Sequence, residues 1–263
     1  MDTLLSQLSQ KLEQLLLTEK LLAVKAEFEA EGTRIDELSA LSELCCKYNI
    51  PLTLKIGGPL AQRDIYEAFQ LGASNILVPM VESSYAVSTS FEFYKKFSPL
   101  FKELQRTPNL LINIESDLAI NNLKSIIELI NKNQLPIKTL VLGRSDLSKS
   151  LGITNVDSSE IFNLTNKVLN DIKPYSIDLT LGGNMTSKSF RFVSDLSEIG
   201  LHAFESRKCT FKLTNKISNI QFNNLINMGL EFELAWLNYK KAIYSNRSDE
   251  ENNRIEIINS RIN

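Results

Sequence analysis

Short apolar runs alternate, with few exceptions, with longer segments whose apolar positions recur every three or four residues. Seven runs have the length and composition of strands: LLAVKAEFE from Leu21, PLTLKIG from Pro51, SNILVPMVE from Ser74, LLINIES from Leu110, TLVLG from Thr139, IDLTLGG from Ile177 and LHAFESRK from Leu201. Helix-period segments such as RIDELSALSELCCKYN and LAQRDIYEAFQLG follow them. Strand and helix in this rhythm predict parallel βαβ units. The fold class expected is α/β, a barrel of the TIM (β/α)8 type. A closed barrel needs eight strands, so one is expected to be irregular or missing, and the first unit is a candidate because only a helix precedes Leu21. An open doubly wound sheet is the alternative. Against it, the GTR of EAEGTR lacks the glycine spacing of a dinucleotide fingerprint.

Beyond the last strand, residues 219–244 predict a long helix whose Phe222, Leu225, Ile226, Phe232, Trp236 and Tyr239 form a broad apolar face for the barrel or a neighbouring subunit. Residues 245–263 are polar and are expected to be frayed or weakly helical. There is no linker and no internal repeat, which predicts a single barrel domain over 1–244 and a polar tail over 245–263.

Side chains alternate between the two faces of a strand, and this separates scaffold from chemistry. If Leu52, Leu54 and Ile56 face the helices, then Thr53, Lys55 and Gly57 face the barrel axis. The same parity turns Asn113 and Glu115 inward, together with Lys25, Glu27 and Glu29, and with Ala203, Glu205 and Arg207. Charges on a barrel axis are costly unless they pair or bind something. One reading is a structural ion-pair network of Lys25, Lys55 and Arg207 against the acids. The other rests on Glu115 and Asp146, which close two successive strand-end motifs and are placed to offer oxygen ligands to one divalent cation. Acids outnumber bases here, which favours a cation and an anionic substrate. Glu82 reads equally as a rim residue or a functional contact. Gly57-Gly58 and Gly182-Gly183 are turn formers that would also leave room for a ligand.

Composition narrows the picture. A net charge of −2 with scattered Lys and Arg leaves no footprint for nucleic acid. No apolar run approaches a membrane span, and the N-terminal segment is an amphipathic helix pattern rather than a leader, so the chain reads as cytoplasmic. Cys45, Cys46 and Cys209 have neither metal-ligand nor disulfide spacing and are expected to be buried small hydrophobes. The one histidine, His202, is expected to be structural.

VPMVES, INIES with the following LAINNLKSIIELI, and GRSDLSKSLG resemble, in order and spacing, the motifs of the 2-oxo-acid aldolase and citrate lyase β-subunit family of metal-dependent barrel lyases. The resemblance spans roughly Leu22 to Phe211. It implies that Glu115 and Asp146 ligate Mg²⁺ or Mn²⁺, and that Lys55 stands where the family carries an arginine for the enolate. It further implies that Lys55 or Arg207 binds the substrate's carboxylate or enolate oxygen, and that Glu27 or Glu29 acts as general base. Gly57, Gly58, Glu82, Arg144, Gly182 and Gly183 are the substrate-binding candidates. The family's acid-rich strand end carries a histidine, whereas this chain has Ala30, and Arg144 replaces a common proline. The activity implied is carbon–carbon cleavage or addition through the enolate of a pyruvate-like 2-oxo acid, with an aldehyde partner, in a homo-oligomer. An acyl-thioester lyase, or a barrel retained only for ligand binding or assembly, are the alternatives.

Overall fold

The computed structural model describes residues 2–28, 31–103, 107–214 and 216–262; Glu29 and Ala30 therefore lie outside the described residues. Helix α1 (Asp2–Leu16) leads into β1 (Leu21–Glu27), and α2 (Ile35–Lys47), β2 (Leu52–Lys55), α3 (Gln62–Gln70), β3 (Asn75–Val78) and α4 (Ser84–Lys102) follow. Next come β4 (Asn109–Ile114), α5 (Asp117–Asn121), α6 (Leu123–Lys132), β5 (Thr139–Gly143), α7 (Arg144–Ser150) and α8 (Ser159–Ile172). The chain ends with β6 (Asp178–Gly182), α9 (Phe190–Ile199), β7 (Ala203–Ser206), β8 (Cys209–Lys212) and α10 (Asn219–Ile262).

The eight strands close into one barrel in sequence order. Each strand from β1 to β6 runs parallel to the next, as the βαβ rhythm predicts. The irregular strand is the eighth and not the first. LHAFESRK ends in a two-residue turn, Arg207-Lys208, with Arg207 in the left-handed region at φ 53°. So short a connection forms a hairpin, and hairpin strands are antiparallel. β8 accordingly pairs antiparallel with both β7 and β1, completing the closure. Its pattern is too short, and too close to β7, to stand out as a separate run.

The predicted parity holds. Val24, Ala26, Leu52, Leu54, Ile112 and Ile114 are buried in the layer between strands and helices, where they meet helix residues such as Leu38, Leu41, Ile65 and Ile126. Burying a side chain of this size stabilises the fold by roughly 1.5–3 kcal/mol. Helix α10 leaves the N-terminal end of the barrel after β8 and climbs its side. Phe222, Leu225, Ile226, Phe232, Trp236 and Tyr239 are buried, and Gly229 comes so close to Ser206 that a Cβ there would sit 2.9 Å from its carbonyl oxygen. The helix does not fray at Tyr244: it continues unbroken through Ile262, so the polar tail is helical. Among the described residues no helix is long and apolar enough to cross a membrane.

Burial pushes the Cys45 thiol up to about 12 and raises that of Cys209 as well, so both behave as inert hydrophobes. Cys46, expected to be buried, is exposed, because it follows Cys45 on α2 and so points about 100° away from it.

Candidate active site

At the C-terminal ends of the strands, Glu27 from β1, Lys55 from β2, Glu115 just after β4 and Asp146 in the first turn of α7 line one cavity of about 270 Å³. Ile56, Gly57, Pro79 and Met80 complete its wall. This is the face at which α/β barrels carry their chemistry.

An alternating file of charges crosses the barrel to reach this cavity. Glu205 Oε2 accepts from Lys25 Nζ at 2.9 Å, and the same ammonium lies 3.1 Å from Glu27 Oε1. Glu27 Oε2 is then 3.9 Å from Lys55 Nζ, which is 3.8 Å from Glu115 Oε2. The first two links are hydrogen-bonded ion pairs, while the last two are too long for hydrogen bonds. Burial alone would lower the Lys25 pKa, but Glu205 and Glu27 outweigh it and hold the ammonium above its ordinary range. Burial would likewise raise Glu27; Lys25 first and Lys55 second reverse this, and the carboxyl titrates below its ordinary value.

Glu115 is buried, with a relative exposure of 3%. Its Oε1 accepts from the backbone N–H of Met80 at 2.9 Å and its Oε2 from Asn113 Nδ2 at 2.8 Å. Met80 itself has φ 51°, a left-handed backbone that favours glycine. Gly143, paired with Gly182 across β5 and β6, gives Glu115 its space: a Cβ at 143 would stand 2.6 Å from Glu115 Oε2. Neither Met80 nor Gly143 carries a sequence signal that separates it from ordinary turn residues. Asn113 does, as a polar residue at an inward position of an apolar strand.

The remaining candidates fall elsewhere. Arg144 is fully buried and does not line the cavity. Its Nε donates to the Gly182 carbonyl, one Nη donates to the Gly183 carbonyl at 2.7 Å, the other pairs with Asp157, and the guanidinium lies 5.0 Å from the Phe192 ring centroid. It ties the β6 loop to α7 and α9, which corrects the expectation of substrate contact. Gly182 and Gly183 do not line the cavity either, and no side chain would fit at them: added Cβ atoms would lie 2.9 Å from Glu205 Oε2 and 2.5 Å from the Ser145 nitrogen, respectively. Arg207 sits in the β7–β8 turn with its guanidinium held by Glu233 of α10, so it does not join Lys55.

Glu82 accepts from Ser116 Oγ at 2.6 Å, and its carbonyl accepts from Asn122 Nδ2. It latches the loops after β3 and β4 together. Gly57 lines the cavity, and its N–H donates to Asp64 at 2.7 Å; Gly58 does not line it. His202 lines a separate cavity of about 360 Å³ at the opposite, N-terminal mouth of the barrel, 3.7 Å from Asp178.

Three carboxylates and one ammonium give the cavity a net charge of −2. Its charged donors are oxygens apart from Lys55, and each Glu115 oxygen accepts one hydrogen bond in the protein and keeps a further acceptor site. Among the described residues no three His, Cys, Asp or Glu side chains gather as a metal cluster. A set of one or two carboxylates in an acidic cavity suits Mg²⁺ or Mn²⁺, which retain water and substrate oxygens as their other ligands. The carboxylates lining this cavity are therefore of a chemistry that fits a hard divalent cation, which Glu115 and Asp146 would hold, although Asp146 here pairs with Lys149 Nζ at 3.1 Å.

The family model for HpcH/HpaI aldolase/citrate lyase matches residues 36–192. None of the curated proteins matches the chain. Among solved structures, the citrate synthase SbnG is 16% identical, with 84% of this chain and 85% of that one covered at a TM-score of 0.58. An HpcH/HpaI aldolase/citrate lyase family protein from Burkholderia cenocepacia J2315 is 12% identical, covering 85% and 84% at 0.58. An HpcH/HpaI aldolase from Desulfitobacterium hafniense DCB-2 is 13% identical, covering 67% and 73% at 0.53. At these identities the structural likeness speaks to the fold alone.

Proposed function

Because the chain belongs to the HpcH/HpaI aldolase/citrate lyase family, we propose that it is a divalent-metal-dependent carbon–carbon lyase acting on a pyruvate-like 2-oxo acid and an aldehyde. The observation that carries this reading is the convergence of Glu27, Lys55, Glu115 and Asp146 on one cavity. When bound by Glu115 and Asp146, a divalent cation would supply Lewis acidity to a carbonyl oxygen as negative charge develops there.

The chain's own groups do the rest. Lys55, at hydrogen-bonding distance from neither neighbouring carboxylate, has donors to offer to the carboxylate or the developing oxyanion of a 2-oxo acid. A lysine supplies this charge as a point and not as the two-pronged fork of an arginine, so it fixes the substrate's orientation less tightly. Glu27, held ionised by Lys25 and Lys55, is the proton acceptor for the carbon next to the carbonyl, directly or through one water. Glu29, the other candidate base, lies outside the described residues. Met80 and Asn113 fix the rotamer of Glu115 through both of its oxygens.

The test is exchange of pyruvate methyl protons with deuterated water, followed by NMR with Mg²⁺ or Mn²⁺ and again after chelation. Exchange that depends on the metal and falls in Glu27→Gln supports the reading. Absence of exchange with every 2-oxo acid tried, together with a flat Mn²⁺ titration, would overturn it.

A further inference from the structure

The run RSDLSKS sends different chemistry to the two sides of one short helix. Ser145, Ser148 and Lys149 recur at three- and four-residue steps and share a face of α7, while Asp146 points about 100° away from Ser145. Each side meets its own cavity. Asp146 lines the acidic one with Glu27, Lys55 and Glu115, whereas Ser145, Ser148 and Lys149 line a second cavity of about 720 Å³. Asn184, just beyond β6, and Arg207, in the β7–β8 turn, also line the second. It therefore lies over the ends of β5 to β7, beside the acidic cavity over β1 to β4.

The two cavities are opposite in charge. Three carboxylates and one ammonium line the first; among the described residues, the charged groups lining the second are Lys149 and Arg207. Lys149 Nζ spends one donor on Asp146 at 3.1 Å and keeps its others. Arg207 gives Nε and one Nη to Glu233 and keeps the other Nη. Ser145, Ser148 and Thr154 add hydroxyls and Asn184 an amide. The Ser148 hydroxyl carries the argument furthest. The residue is 2% exposed, and among the described residues its Oγ has no hydrogen-bond partner. A buried hydroxyl left unpaired is costly, and native interiors seldom hold one that no ligand or water completes.

Donors of this kind suit an anion. A phosphate monoester matches them better than a carboxylate, because it brings nearly two negative charges to two cations and three acceptor oxygens to a set of neutral donors. An anion on Lys149 would lie within about 6 Å of Asp146, two hydrogen-bond lengths away. A chain of about two or three carbons spans the gap from there to a carbonyl beside Asp146.

We propose that this cavity holds the phosphate of the acceptor substrate on Lys149 and Ser148, which makes the acceptor a short phosphorylated aldehyde. Its role as an acceptor site rests on the catalytic reading above; the binding itself does not.

Calorimetry on the full chain after chelation, with 2-hydroxyethyl phosphate as an unreactive probe, tests binding apart from metal and turnover. Saturable binding is expected, with the carboxylate counterpart 3-hydroxypropanoate weaker by about tenfold or more. Lys149→Met should weaken the phosphate by about tenfold or more, and Ser148→Ala by about threefold to tenfold. The Lys149 side chain is 78% exposed, so circular dichroism should report an intact fold. Ser148→Ala should raise the melting temperature slightly, the opposite of losing a structural bond, because it removes an unpaired buried hydroxyl. In turnover with pyruvate, glycolaldehyde phosphate should exceed glycolaldehyde in kcat/KM, by a ratio that falls about tenfold in Lys149→Met. A general defect would lower both rates and leave the ratio alone. Absence of phosphate binding, binding unmoved by both variants, or tighter binding of the carboxylate would overturn the proposal. A chain that binds the phosphate through Lys149 and Ser148 but exchanges no pyruvate methyl protons would uphold this site and sink the catalytic reading.

Discussion

Lys25 and Lys55 sit on adjacent strands of the same barrel, one layer apart, and differ in what surrounds them. Lys25 is buried and bonds Glu205 and Glu27 at 2.9 and 3.1 Å. Lys55 lines the cavity and stands 3.8 and 3.9 Å from Glu115 and Glu27. Both are ammonium groups between two carboxylates, yet only the first is within hydrogen-bonding distance of both. The difference shows how a barrel axis divides its charges: the inner pair neutralises and orders, and the outer lysine keeps donors for a ligand.

The largest effect that would sharpen this contrast concerns the acids facing Lys55. Glu115→Gln and Asp146→Asn should each abolish Mn²⁺ binding in a calorimetric or spin-resonance titration while leaving the fold intact, because a neutral amide removes most of the attraction for a hard cation. Affinity within a factor of two of the native chain in both variants would break the assignment.

Next in size, removing each lysine should cost a different property. Lys55→Met should lower turnover by about a hundredfold or more, the scale of one oxyanion contact, with melting temperature little changed. Lys25→Met should instead cost about 3–5 kcal/mol of stability in denaturant titrations, because Glu205 is left buried without its partner and Glu27 loses the nearer of its two ammonium groups. If both variants lose mainly stability, or both mainly turnover, the two lysines do not divide the work.

A pH profile resolves the carboxylate they share. Glu27 titrates below its ordinary value, so its ionised form, and the acid limb of the rate profile that depends on it, should persist below the usual carboxylate range. Its contribution to stability has the same sign. It is fully present above the unfolded pKa of about 4.3 and is lost as pH falls through the depressed folded value. In any folded Lys25→Met enzyme the acid limb should move toward neutrality, since burial then faces one ammonium fewer. An unmoved limb would take the base role from Glu27.

The smallest expected effects lie outside the file of charges. Arg207→Gln and His202→Asn should leave the exchange rate within about twofold, as one guanidinium is engaged by Glu233 and the imidazole is at the far mouth of the barrel. A loss of tenfold or more at Arg207 would return it to the site.

Much of this molecule was legible in its sequence. The period-two alternation placed Lys25, Lys55, Asn113, Glu115 and Glu205 on the barrel axis, because side chains on a strand have no other choice of face once the apolar set is buried. The strand–helix rhythm determined the parallel order of β1 to β7. What the sequence could not determine was which inward charges meet. Arg144 and Asp146 are neighbours in the chain, but α7 turns one into the protein and the other toward the cavity. Arg207 shares parity with Glu205, yet a left-handed turn delivers it to Glu233, twenty-six residues later. The space beside Gly143 and Gly182 likewise belongs to carboxylates from other strands. Local pattern fixes the face of each side chain; only closure of the barrel, which brings distant strand ends within a few ångströms of one another, decides its partner.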